Sequence, residues 1–317
     1  MRTLQRKSTF FVSLPADMKH EQLAGHLAVA GAYTIFGLNI VFTKDIANAE
    51  AVSPMLLFTF RAIGAGALFW ILSLFMPKET VARKDIGLIA LASFVGLFVP
   101  QLTFLKAMTL SATIDASVMH TLSPIFTMFF AFFFAKEPIT WKKALGVAVS
   151  FGGVLLLIFN SVHATGGVEK TAPMGFVCLV LNSLSFALYL GAFRKLISRY
   201  SVVTFMKWAF LFALLLSLPF SARELVSTDY AAIPANVFWE IGFLVFFATF
   251  VAYFLIPYGQ KRIRPTLVSM YTYLQPMIAA VISIITGLDV LTWQKLLATL
   301  LVFAGVWLVI RSRAAAG

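Results

Sequence analysis

The sequence predicts an all-α integral membrane protein of ten transmembrane helices, built as two inverted five-helix repeats with both termini cytoplasmic. Three observations carry this. Of the 317 residues 60% are hydrophobic and only 12% charged, where a soluble domain carries about a quarter charged residues. Ser117–Val154 lines up with Ser269–Val306 without a gap, at an offset of 152 residues. Ten apolar runs of about 20 residues, each able to cross roughly 30 Å of hydrocarbon, fall five to each copy. Because five is odd, the second copy must enter the membrane from the opposite side.

In order, the predicted spans are 25–44, 54–76, 86–108, 114–135, 142–160, 173–193, 202–220, 237–259, 266–287 and 293–311. Residues 1–22 are polar and basic, and the run Phe10-Phe11-Val12 is too short for a secretory signal, so a cytoplasmic tail is expected. Residues 23–160 form the first repeat, 161–172 an outer connecting loop, 173–312 the second repeat and 313–317 a C-terminal tail. With the N-terminus inside, 18 of the Lys and Arg residues fall on the cytoplasmic side and 4 on the outer side. That bias fixes the predicted orientation. The net charge of +12 is therefore a topology signal, and no nucleic-acid partner is expected. One cysteine, Cys178, forms no internal disulfide, and His20, His26, His120 and His163 have no ligand spacing. No metal and no cofactor is expected.

The chemistry concentrates on two proline-bearing spans. Ser117, His120, Thr121 and Pro124 stand at i, i+3, i+4 and i+7, and Ser269, Thr272, Tyr273 and Pro276 repeat that spacing. Each set shares one helical face. A proline within a helix frees the carbonyl four residues back, here those of His120 and Thr272. Either both stripes face a shared cavity and bind substrate, or Pro124 and Pro276 kink helices for packing while the hydroxyls satisfy the gap. His120 is the histidine deep in a span; it is a candidate proton carrier or a neutral hydrogen-bonding group. Further cavity candidates are Asn39, Gln101, Tyr253, Tyr271 and Gln275. Gln101 falls on Tyr253, and Ser123 on Gln275, at the 152 offset.

No Asp or Glu stands at a span centre, where cation-driven pumps often keep one. Asp115 and Glu240 come closest, both at the outer side. Arg61 lies about two turns into the second span; Asp115 or Glu240 is its expected partner in an ion pair, or else its guanidinium clamps a substrate carboxylate or phosphate. Glu137 and Asp289 occupy matching turns on opposite faces. They either latch the two conformational states by pairing with nearby lysines or act at helix N-termini. Asp115 and His120 complete the coupling candidates. Trp141 and Trp293 open the fifth and tenth spans as interfacial anchors, and Ala62/Gly66 reads as close helix packing.

The stretches LSPIFTMFFAFFFAKEPITWKKALGVAVSFGGVLLL (122–157) and LQPMIAAVISIITGLDVLTWQKLLATLLVFAGVWLV (274–309) resemble the EamA family of the drug/metabolite transporter superfamily. The shared pattern is a proline in the fourth helix, an acidic residue after it, and a helix ending in Gly-Val. The family's usual small-residue-Gly-Glu turn reads Ala135-Lys136-Glu137 here and Gly287-Leu288-Asp289 in the second copy. The resemblance implies ten helices around a cavity open alternately to each side, in a bacterial inner membrane. It also implies a small-molecule metabolite substrate, an amino acid or derivative before others, with export favoured. A drug or cation exporter is the alternative. A membrane enzyme would need paired acids, metal ligands or a nucleophile–base pair; no metal-ligand cluster and no paired in-span acids are found, and His120 with Ser117 or Thr121 is too common a helical neighbourhood to count. A receptor or scaffold would need a large loop or tail. The expected partners are thus the lipid bilayer, the substrate and, through His120 or Asp115, protons; the chain is expected to work as a monomer or homodimer.

Overall fold

The computed structural model describes residues 16–111, 119–120, 122–165, 172–285 and 293–312, with backbone alone at 16–19, 157–165, 279–280, 282–285 and 295. Among the described residues regular structure is helical throughout. Helix α1 (Ala16–Ala49) extends past the predicted span at both ends, because no proline interrupts the chain between Pro15 and Pro54. Helix α2 (Pro54–Leu74) starts where the Ser53 hydroxyl accepts the Leu56 N–H at 3.1 Å and Pro54 fills the first turn. There follow α3 (Arg83–Leu110), α4 (Ser123–Phe134), α5 (Trp141–Thr165) and α6 (Pro173–Ala192). A short helix, Arg194–Arg199, leads to α7 (Val202–Ser227) and α8 (Ala235–Arg262). The next helix, α9, is broken into Pro265–Met270, a 3₁₀ turn at Tyr271–Tyr273, and Leu274–Ile285; α10 is Trp293–Ile310. Six of these, α1, α2, α3, α6, α7 and α8, are long and apolar enough to cross a membrane.

The internal repeat is visible in the backbone. Helices α3 and α8 begin and end at positions 152 residues apart, and so do the starts of their π-helical segments, Phe94–Phe98 and Phe246–Val251. Pro100 accounts for the first: it lacks an N–H and crowds the carbonyl four residues back, so the ladder widens. In the second, the Thr249 hydroxyl bonds the Leu244 carbonyl five residues back at 2.6 Å.

Repeat mates run antiparallel, as inverted halves require. At one end of the α2–α7 pair Ser53 donates to Glu224 at 2.7 Å and Thr59 to Ser221 at 2.9 Å. At the other end Phe69 stacks on Phe210 and Trp70 meets Trp208. In the α5–α10 pair, a Cβ on Gly146 would lie 2.6 Å from the Gly305 carbonyl, and one on Gly153 2.8 Å from that of Ala298. Between them Ser150 donates to the Val302 carbonyl at 3.1 Å. Small residues allow these backbones to touch, the usual way to gain packing where lipid already supplies apolar surroundings. The halves also interlock: α1 packs on α8 and α9 of the second half, and α6 on α3 and α4 of the first. Phe132, Phe133, Leu300 and Phe303 remain exposed on the outside, where lipid would cover them. Trp141 and Trp293 are exposed at the first positions of α5 and α10, suited to the interface.

Loops at the face that carries most of the basic residues are tied by polar contacts. Asp85 accepts from Arg199 and Tyr200, and Glu79 accepts the Ser201 N–H. The hydrogen bond to Asp85 pushes the Tyr200 phenol up. Burial raises the Glu79 carboxyl, but donors from Thr204 and Ser201 outweigh it and leave the group below its ordinary value.

Candidate central cavity

Helices α1, α2, α3, α6, α8 and α9 and the fourth-helix region enclose a central cavity of about 590 Å³, its open mouth included. Helix α1 presents Tyr33, Phe36, Asn39 and Ile40, which share one helical face. Helix α2 supplies Arg61, and α3 supplies Pro100, Gln101 and Phe104. His120 and Ser123 come from the fourth-helix region, and Asn182, Ser183 and Phe186 from α6. Tyr253 of α8 and Thr272 and Gln275 of α9 complete the wall. Three pairs in this lining are repeat equivalents: Gln101 with Tyr253, His120 with Thr272, and Ser123 with Gln275. The cavity therefore straddles the axis that relates the halves.

Of the sequence candidates, Asn39, Arg61, Gln101, His120, Tyr253, Thr272 and Gln275 meet here. Ser117, Thr121, Asp115 and Asp289 lie outside the described residues. Tyr271 does not line the cavity. It stands one residue before Thr272, which turns it away, and its hydroxyl pairs with His26 Nδ1 at 2.8 Å. Tyr33 is an addition to the sequence candidates, although the spacing Tyr33, Phe36, Ile40 marks a single face. So are the aromatic walls, which look like ordinary apolar sequence.

Pro124 and Pro276 sit where the helical ladder changes. Each falls in the first turn of a new helical segment, after a turn at Leu122 and after the 3₁₀ turn at Tyr271–Tyr273. A missing N–H costs little in a first turn, so the breaks come just before the prolines and bring His120 and Thr272 to the cavity wall.

Arg61 is 2% exposed and is not paired with Glu240. Its Nε donates to the Thr249 hydroxyl at 2.8 Å and its Nη2 to the Ala248 carbonyl at 3.4 Å, both in the π-helical segment of α8; Nη1 has no partner. An arginine deep in a membrane helix costs about 2.5–3.5 kcal/mol on insertion scales, and among the described residues neutral groups hold it. Gln101 lies beside the Tyr253 hydroxyl, yet neither of its amide atoms is in hydrogen-bonding geometry. The His120 ring packs edge-on against Phe104 with Nε2 unpartnered. Asn182 has a structural role: its amide donates to the Pro100 carbonyl at 2.6 Å.

Glu137 is 2% exposed and accepts from Lys143 Nζ at 2.6 Å and from the Thr266 hydroxyl at 2.8 Å. It does not cap α5; Thr140 does, accepting the Lys143 N–H at 3.3 Å. Thr266 belongs to the other half, so the α4–α5 turn is fastened to the start of α9. That turn is held by the Ala135 and Glu137 N–H groups, which both bond the Ala131 carbonyl, with Lys136 at φ 54°. A left-handed L-residue costs roughly 1–2 kcal/mol, and glycine escapes this. Lys136→Gly is expected to raise stability by about 1 kcal/mol; an unchanged or lowered melting midpoint would show the turn to be unstrained.

The sequence profile of the EamA-like transporter family matches residues 23–159 and 173–311. The uncharacterised transporter YcxC of Bacillus subtilis is 25% identical over 303 residues, 91% of this chain and 93% of its own. The uncharacterised inner membrane transporter YicL of Salmonella typhimurium is 26% identical over 294 residues, 90% of this chain and 94% of its own. A solved crystal structure superposes with a TM-score of 0.71 at 16% identity, covering 92% of this chain and 96% of its own, a likeness of fold.

Proposed function

The chain belongs to the EamA-like transporter family, and from that premise we propose that it is a secondary transporter carrying a small polar or amphipathic metabolite through the central cavity by alternating access. An amino acid or derivative, moved outward, is the substrate we put first. In this reading all ten helices cross the membrane with both termini cytoplasmic. The similarity to YicL, an inner membrane transporter, supports placement in a bacterial inner membrane. The observation that carries the reading is the cavity's lining by repeat-equivalent polar pairs from both halves. A site on the axis between inverted repeats can be exposed to either side by rocking one half against the other. The drug- or cation-exporter alternative finds no Asp or Glu among the described lining residues.

The test compares metabolites inside and outside cells that express the intact chain or a His120→Ala, Gln275→Ala double variant shown to reach the membrane. A compound class that accumulates outside only with the intact chain is the expected result, and names the substrate. If intact and variant cells both match empty cells, export is refuted; if both move the same compound, transport stands and the assignment of His120 and Gln275 falls.

A further inference from the structure

Resting on the transport reading, we propose that the cavity selects an organic oxyanion, a carboxylate or phosphate on an apolar body, and that Arg61 is the group that binds it. Arg61 is buried and lines the cavity with Nη1 unpartnered, and its other contacts are to a hydroxyl and a backbone carbonyl. Those two contacts fix the guanidinium plane before any ligand arrives. A planar, permanently charged fork held in this way suits an oxyanion and disfavours a cation. With no carboxylate among the described lining residues, nothing there offsets the repulsion an ammonium placed beside Arg61 would meet.

Two further features fit. Gln101 presents both amide atoms, and Tyr33 its hydroxyl close to Thr272, outside hydrogen-bonding geometry with any partner. Buried polar groups of that kind cost free energy until something satisfies them, and an oxyanion head accepts from several donors at once. Phe36, Phe104 and Phe186 form walls for the rest of the molecule. The repeat equivalent of Arg61 is Ala213, so the charge comes from one half only and suits a ligand with one anionic end. An amino acid satisfies this through its carboxylate; a simple amine does not.

The test uses three probes that share a phenyl body: phenylpyruvate, phenyl phosphate and phenethylamine. Binding to the purified full-length protein is measured by titration calorimetry, and flux by counterflow in liposomes. At least one oxyanion is expected to bind ten-fold or more tighter than phenethylamine, and the tighter of the two names the headgroup. Arg61→Gln is expected to lose ten-fold or more of that affinity, and Arg61→Lys, which keeps the charge and guards against misfolding of the first variant, to recover part of it. Equal binding of phenethylamine, no binding of either oxyanion, or unchanged oxyanion affinity in a folded Arg61→Gln protein overturns the proposal. Oxyanion binding without flux supports it while refuting transport; phenethylamine flux without oxyanion binding does the reverse.

Discussion

Gly153→Leu is expected to break the α5–α10 pair, while Gly152→Leu, one residue earlier, is expected to be tolerated. A Cβ at Gly153 would lie 2.8 Å from the Ala298 carbonyl oxygen, 2.9 Å from Leu301 Cβ and 3.1 Å from the Val302 nitrogen. Two of those atoms are backbone, so no rotamer change relieves the clash; the helices must separate. Separation also stretches the Ser150 bond to the Val302 carbonyl and lifts Gly146 from Gly305. The cost should exceed the roughly 1–3 kcal/mol of ordinary overpacking, where side chains can yield. A Cβ at Gly152 meets nothing within 4 Å, and the residue is exposed on the outer face of the pair. Leucine there improves helix propensity and faces lipid. The measurement is the thermal midpoint and the monodisperse fraction after solubilisation in one detergent. Similar values for the two variants would mean that α5 and α10 are not packed as described.

That contrast marks where the sequence stops being legible. The 152-residue offset puts Gly153 on Gly305, so both helices are seen to carry a glycine near the same turn. Which of two adjacent glycines faces the partner depends on helix rotation, and an apolar sequence in lipid carries no polar face to reveal it. The same limit explains Tyr271: the i, i+3, i+4, i+7 stripe holds Thr272, but one residue of rotation sends Tyr271 to His26 instead. The prolines announce that α4 and α9 are interrupted, not that the breaks precede them. The π-helical segment of α8 has no proline at the position equivalent to Pro100; it depends on a side-chain bond from Thr249 that spacing does not disclose, and with it goes the placement of Arg61. Polar residues in apolar spans are the legible part of the site, because each needs a partner or a cavity. The partners themselves come from other helices and follow from the tertiary crossing.

Glu137→Leu is expected to cost more than the double change Glu137→Leu, Lys143→Met. Lys143 is 0% exposed and Glu137 2% exposed. Removing the carboxylate leaves a buried ammonium unpaired, which costs about 3–5 kcal/mol, whereas replacing both charges by apolar groups of similar volume is often neutral. The double variant should therefore recover most of the loss in melting midpoint, and equal losses for single and double variants would show that the two charges do not depend on each other. The pair also has a consequence for transport. Its third member, Thr266, starts α9 in the other half, so any rocking that opens this face must part Thr266 from Glu137 or carry them together. Parting them breaks a hydrogen bond to a charged group, about 1.5–3 kcal/mol, so this contact holds the Glu137 face closed for as long as the two stay together.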